Sequence, residues 1–312
     1  MGVIKVLDSL FRTTVDDIKS LKIQGAESIA KAAVDAFAHV EHNAYDQYMD
    51  AQAYAQALDL AKQELFDTRP TEPTLRNALS LLWPYNRKVT TISEMHDTYV
   101  KQLLFVREHF DRVTTALPSL GSDKIKEKDI IYTHCHSTSV MSVILDAHAQ
   151  GKNITVNNTE TRPRHQGRLT AADLAKHDVP VNHYIDSAMR LAIKNCTIVL
   201  LGADAIDHEM KVYNKIGSEL VCETAKAHGK PVYICTDSWK FDPRTAFGYA
   251  ERIEERSPVE VWDLPPKGVT VHNPAFEKIN PKLITGIICE LGIFTPKEFV
   301  KVVKETYPQL LK

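Results

Sequence analysis

Between Ile29 and Val40 apolar side chains return every three or four positions, at Ile29, Ala33, Ala36, Phe37 and Val40, which sets them along one stripe of an α-helix. Comparable stretches over residues 45–65, 74–83 and 90–116 predict that roughly the first 120 residues fold as helices. Pro118-Ser-Leu-Gly-Ser-Asp123 then interrupts the rhythm and the charged Lys124-Ile-Lys-Glu-Lys-Asp129 follows. A domain boundary is expected there, giving a helical domain over 1–122 and a second domain over 123–312. From Asp129 onward the period changes. Short apolar runs at 130–133, 154–156, 197–201 and 231–235 alternate with helical segments, as in a parallel sheet covered on both faces. The fold class predicted is therefore α/β: an N-terminal helical domain followed by a Rossmann-like parallel-sheet domain.

Bulk properties narrow the ligand rather than the fold. The 312 residues are 44% hydrophobic and 25% charged, the balance of a folded chain with room for two cores. With 38 Lys and Arg against 40 Asp and Glu, no global field draws nucleic acid or an anionic membrane, so a small ligand held by a few placed cations is expected. No run approaches the roughly 20 apolar residues of a membrane span, and Met1-Gly-Val-Ile-Lys-Val-Leu-Asp8 lacks a signal-peptide layout, which together predict a cytoplasmic protein. Five cysteines without CxxC spacing read as reduced thiols. The sequons at Asn153 and Asn195 carry no weight without secretion.

Candidate chemistry clusters where strands should end. Asp204 follows the apolar run Thr197-Ile-Val-Leu-Leu-Gly202, so it leaves a sheet interior for the crevice where open α/β sheets bind ligands. Weak solvation there would raise its pKa and keep it available as an acid. Cys135 follows the first strand and precedes a helix expected over 137–148, whose positive end would favour a thiolate base. Ser137, Thr138 and Ser139 add hydroxyls and free N–H groups at that helix start, a cradle for phosphate. No GxGxxG occupies this turn, so dinucleotide binding has no support. His134 and His136 should alternate with Cys135 across a strand-like segment, which prevents the three from sharing one metal ion. Arg162 and Gln166, ahead of a helix expected near Leu169, suit phosphate or sugar hydroxyls, although surface ion pairs would explain the arginine equally. Arg69 poses the same choice in the helical half, and Lys240, beyond another predicted strand, could serve as a phosphate counter-charge.

Taken together, Thr133-His-Cys-His-Ser137, Glu160-Thr-Arg-Pro-Arg-His-Gln-Gly167, Gly202-Ala-Asp-Ala-Ile206, Asn214-Lys-Ile-Gly217 and Asn273-Pro-Ala-Phe-Glu277 resemble the motifs of a family of sugar-phosphate isomerases and regulatory subunits of a translation-initiation exchange factor. Ser238-Trp-Lys-Phe-Asp-Pro-Arg-Thr245, Ile253-Glu-Glu-Arg-Ser-Pro258 and Lys267-Gly-Val-Thr-Val-His272 are most similar to its archaeal ribose-1,5-bisphosphate isomerase branch. The resemblance implies a catalytic pair, Cys135 and Asp204. It also implies substrate contacts from Gln24, Gly25, Ala26, Glu27, Arg69, Ser137, Thr138, Ser139, Arg162, Gln166, Asn214, Lys215 and Lys240. The first of these loops usually reads Arg-Gly-Ala-Gly, so this chain has lost a cation and gained a carboxylate there; Asp207-His-Glu-Met210 likewise replaces a usual Asn-Gly turn.

The implied reaction converts ribose 1,5-bisphosphate to ribulose 1,5-bisphosphate, with Cys135 removing the C2 proton and Asp204 protonating the ring oxygen. Proton transfer alone needs no metal or redox cofactor. A place in nucleotide salvage, AMP as an activator and a dimer-based homo-oligomer, up to a hexamer, are further implications of the resemblance. Methylthioribose-1-phosphate isomerase and a non-catalytic sensor of a sugar phosphate or nucleotide are the alternatives.

Overall fold

The computed structural model describes residues 6–84, 87–250 and 253–311; residues 1–5 of the Met1–Asp8 stretch considered above lie outside them. The chain divides into two compact units, Met1–Asp111 with Tyr307–Lys312, and Arg112–Thr306.

The first unit is helical: α1 (Ser9–Lys19), α2 (Ala26–Gln47), α3 (Ala51–Phe66), α4 (Pro73–Leu82) and the first part of α5 (Ile92–Ser122). Local chemistry sets the starts. Asp8 accepts from the Leu10 and Phe11 N–H groups at α1, and Pro73 begins α4 with the φ a helix requires. Thr91 and Glu94 cap each other reciprocally at α5. The buried stripe expected on α2 forms, and Phe37 meets Trp83 and Tyr99 at ring separations of 6.2 and 6.1 Å. Lys62 is fully buried among these helices and donates to the Trp83 carbonyl at 2.7 Å.

Helix α5 does not stop at Pro118 as the residue pattern predicts; it continues to Ser122. Proline inside a helix costs about 3 kcal/mol, but Leu117 and Ile125 are buried in the core of the second unit on either side of it. Gly121 also lets the helix lie against Val143, which any β-carbon would strike.

In the second unit the strands β1 (Ile130–Thr133), β2 (Thr155–Thr159), β3 (Val181–Tyr184), β4 (Ile198–Leu201), β7 (Val232–Cys235), β9 (Gly286–Cys289) and β10 (Gly292–Phe294) form one sheet in the order β10-β9-β7-β4-β1-β2-β3. All neighbours are parallel except β9 and β10. Helices α6 (Thr138–Ala149), α7 (Gln166–Lys176), α8 (Met189–Lys194), α9 (Ser218–Ala227) and α10 (Pro296–Thr306) complete this α/β unit. Ile131, Val156, Ile198 and Leu200 of the strands share a core with Val140, Val143 and Ile144 of α6 and Leu174 of α7. A small antiparallel sheet, β5 (Ala205–Ile206), β6 (Val212–Lys215) and β8 (Phe276–Ile279), begins one residue after Asp204. Among the described residues no helix is long and apolar enough to cross a membrane.

Candidate active site

The strand order fixes where chemistry can sit. Following β1 the chain moves outward through β2 and β3; following β4 it moves the other way through β7 and β9. The connections leaving the C-terminal ends of β1 and β4 therefore part, and the gap between them is the ligand crevice of an open α/β sheet. Cys135 lies two residues beyond β1 and Asp204 three beyond β4, one on each lip. The two lips touch. A β-carbon on Gly202 would fall 2.6 Å from Ser137 Oγ and 2.8 Å from Ser137 Cβ, so only glycine permits the approach.

Cys135 has φ +68°, a left-handed conformation that costs a non-glycine residue about 1 kcal/mol or more. Two threonines hold it there: the Cys135 N–H donates to Thr161 Oγ1 at 2.9 Å, and its carbonyl accepts from Thr170 Oγ1 at 2.8 Å. This kink corrects the strand-like reading of 134–136, in which both imidazoles would share a face. His134 is buried between Thr159 Oγ1 (2.9 Å) and the Ile216 carbonyl (2.9 Å), whereas His136 bonds Thr170 Oγ1 (3.0 Å). The two imidazoles go to different partners, so the kink rather than strand alternation sets their directions. Burial lowers the pKa of His134, and the Ile216 carbonyl requires a proton on Nε2, leaving Nδ1 to accept from Thr159.

The thiol also departs from expectation. Helix α6 starts at Thr138 with Ser137 as its cap, so Cys135 stands outside the first turn where the helix field is strong. Burial pushes the Cys135 thiol up to about 11; Lys215, the His136 N–H and Arg256 pull it down, while the Asp204 carboxylate raises it further. In the ligand-free site the thiol is protonated at neutral pH. The same causes put Lys215, Asp204 and Arg256 within electrostatic reach of the sulfur.

Asp204 is half-buried between buried Ala203 and Ala205, and its N–H donates to the Tyr213 carbonyl at 2.8 Å. Lys240 follows β7 and donates from Nζ to the Ala203 carbonyl, which seats the ammonium beside the Asp204 backbone. Asn214 and Lys215 end β6, both buried; Asn214 Nδ2 donates to Ser218 Oγ at 2.9 Å, and the Lys215 ammonium stands 4.8 Å from the Phe276 ring centre. The hairpin before them is built by Asp207, whose carboxylate accepts from the Lys211 N–H (2.9 Å) and Tyr213 hydroxyl (3.2 Å), with Met210 left-handed. Thr138 and Ser139 form the first turn of α6, where N–H groups lack intrahelical partners.

Beyond β2, Thr161 and Arg162 donate their N–H groups to the two Asp186 oxygens at 2.9 and 2.7 Å. Helix α7 begins at Gln166, about three residues earlier than the sequence pattern suggests, and Gly167 packs directly on the Thr159 carbonyl where a β-carbon could not fit. Arg162 and Gln166 share a cleft wall with Lys215. The remaining nominated residues belong to the first unit. Gly25, at φ +87°, caps α2, Ala26 begins it, and exposed Gln24 donates to the Leu21 carbonyl. Glu27 pairs with Lys31 at 2.6 Å and Arg69 with Glu72 at 3.1 Å, so both charges already have local partners.

Residues 22–296 match the model of the initiation factor 2 subunit family. The chain belongs to that family. It is 35% identical to a ribose 1,5-bisphosphate isomerase of Thermococcus kodakarensis, over 95% of this chain and 94% of that protein. It is 33% identical to a methylthioribose-1-phosphate isomerase of Thermosipho melanesiensis, over 89% and 85% of the two chains. Among solved structures, the Pyrococcus horikoshii translation initiation factor eIF-2B superposes with a TM-score of 0.78 at 25% identity, covering 94% of this chain and all of that one.

Three contributors to the site escaped the sequence reading. Thr161 and Thr170, ordinary loop and helix residues, hold the Cys135 backbone. Arg256 lies in Ile253-Glu-Glu-Arg-Ser-Pro258, a stretch noticed for its resemblance but with no periodicity to place it.

Proposed function

We propose that the protein is an aldose–ketose isomerase acting on ribose 1,5-bisphosphate, with Cys135 and Asp204 as the acid–base pair. One observation carries the reading: the loops leaving β1 and β4 meet at Ser137 and Gly202, so a thiol and a carboxyl flank one crevice with two lysines beside it. The substrate's phosphate sits on the anomeric oxygen, so the ring cannot open to an aldehyde while that ester stays.

The reaction then runs as an elimination followed by a tautomerisation. Cys135 thiolate takes the C2 proton, the C2–H electrons form the C1=C2 bond, and the C1–ring oxygen bond breaks as Asp204 protonates that oxygen. The enol phosphate regains a proton at C1 from the Cys135 thiol and gives its O2 proton to the Asp204 carboxylate. Ribulose 1,5-bisphosphate leaves and both groups return to their starting states. The pair holds one proton throughout. Moving it to Asp204 removes one charge that holds the thiol high, and Lys215 with Arg256 then stabilises the thiolate. Lys240 beside Asp204 supplies a counter-charge for a second phosphate, which favours the bisphosphate over a thioether-ended sugar.

The test is turnover of ribose 1,5-bisphosphate and methylthioribose 1-phosphate by the purified chain, side by side with Cys135→Ser. The bisphosphate should be isomerised, and the variant should lose turnover while still binding it. A folded protein that converts neither substrate refutes the enzyme reading; retained turnover in Cys135→Ser removes the sulfur.

A further inference from the structure

Residues 253–260 contain no strand longer than a bridge, yet the backbone fixes them firmly. The Arg256 N–H donates to the Asn273 carbonyl at 2.9 Å and the Ala275 N–H to the Glu254 carbonyl at 2.8 Å. Asn273 closes the pairing, donating from Nδ2 to the Ser257 carbonyl (2.8 Å) and from its N–H to Glu255 Oε1 (2.6 Å). On its other side the Ala275 carbonyl accepts from the Ile216 N–H at 3.1 Å. Lys215–Ile216, Ala275 and Glu254–Arg256 thus form consecutive rungs, and the ladder delivers Arg256 to the cleft that Lys215 also lines.

The cleft is narrow, with room inside for about one water molecule, and it opens to solvent, so an anion would rest across its mouth on the lining side chains. Arg162, Arg164, Lys215 and Arg256 give it four cations against the single carboxylate of Glu260. Glu260 is itself engaged, by Asn273 Nδ2 at 3.2 Å and more distantly by Arg164 at 3.9 Å. Glu254 Oε1 lies 3.3 Å from Arg256 Nε, a one-point contact that leaves most of a five-donor guanidinium for another acceptor. The cleft also adjoins the reacting centre, since both Lys215 and Arg256 bear on the Cys135 thiol.

We propose that Arg256 is a substrate-binding residue that, with Lys215, receives a phosphate group of the sugar at the mouth of this cleft. The proposal rests on the sugar-phosphate reading above and adds a residue and a location to it. A planar fork beside an ammonium suits two oxygens of one phosphate, whereas a lysine in its place would supply charge without the fork.

Arg256→Gln and Arg256→Lys in the full chain test this, by calorimetric titration with inorganic phosphate and by kinetics with ribose 1,5-bisphosphate. The Gln variant should bind phosphate about 10- to 100-fold more weakly, the loss expected for one charge-assisted contact, with KM raised more than kcat is lowered. The Lys variant should fall between it and the wild type. A merely structural arginine would lower the melting temperature without ligand; the binding role instead shrinks the rise that phosphate induces. Phosphate affinity in a folded Arg256→Gln within about two-fold of wild type overturns the proposal. Should that variant unfold, Arg256→Lys decides: a loss of about three-fold or more supports the fork, and unchanged affinity overturns it. Wild type that binds phosphate through Arg256 but isomerises no sugar leaves the subsite standing and refutes the isomerase reading instead.

Discussion

Gly202→Ala is the sharpest probe of the claim that the β1 and β4 loops meet. The new β-carbon would lie 2.6 Å from Ser137 Oγ and 2.8 Å from Ser137 Cβ, about 1 Å inside normal contact. Ser137 caps α6 by accepting from the Val140 N–H at 3.4 Å, a long bond, so swinging the hydroxyl away costs about 0.5–1 kcal/mol. The residual overlap adds about 1–3 kcal/mol, and the stiffer unfolded chain returns about 0.4–1 kcal/mol. A net loss of about 0.5–3.5 kcal/mol follows. In a Ser137→Gly background both obstructing atoms are gone and nothing else lies within 4 Å of the new carbon, so the same change should be neutral or slightly stabilising. The double-mutant cycle, measured by urea unfolding of the four proteins, should therefore show coupling of about 1.5–4 kcal/mol. Effects that add within about 0.5 kcal/mol would mean the two loops do not touch, and the shared crevice would go with them.

Two further outcomes follow from ionisation. Asp204→Asn removes a carboxylate that raises the Cys135 thiol, so the alkylation profile of Cys135, followed by peptide mass spectrometry, should shift to lower pH; an unmoved profile would separate the two groups electrostatically. Burial lowers the Lys62 pKa to about 7, with Asp59 opposing and Arg87 assisting, whereas in the unfolded chain it stays near 10.5. Between those values the unfolded chain binds the extra proton, so stability should rise with pH from about 7 toward 10.5. Lys62→Met should flatten that rise in urea midpoints, and an unchanged slope would assign the pH dependence to other groups.

Much of the second unit could be read from apolar runs, because fully buried parallel strands must be nearly continuous in hydrophobic residues. The reading stopped short where burial is polar. Strand β2 continues through Asn157, Asn158 and Thr159, all buried, since Asn157 Nδ2 reaches the Ala192 carbonyl and Asn158 Nδ2 the Gly167 carbonyl. Those partners are distant in sequence and leave no periodic trace. Pro118 failed as a stop signal for a similar reason, since tertiary packing of Leu117 and Ile125 outweighs a local penalty. At the site, Asp204 could be placed from a strand end alone. The state of the Cys135 thiol could not, because it depends on how deeply the sulfur is buried and on charges contributed by β6 and by the 253–260 segment.

The borders of the large sheet bear on how the chain behaves in a crowded solution. On one side β3 is only four residues long, Val-Asn-His-Tyr, and half polar; on the other, β10 spans three residues and runs against its neighbour. Neither margin offers a stray polypeptide a long flat template on which to add itself, so the apolar interior of the sheet is shielded from runaway lateral growth.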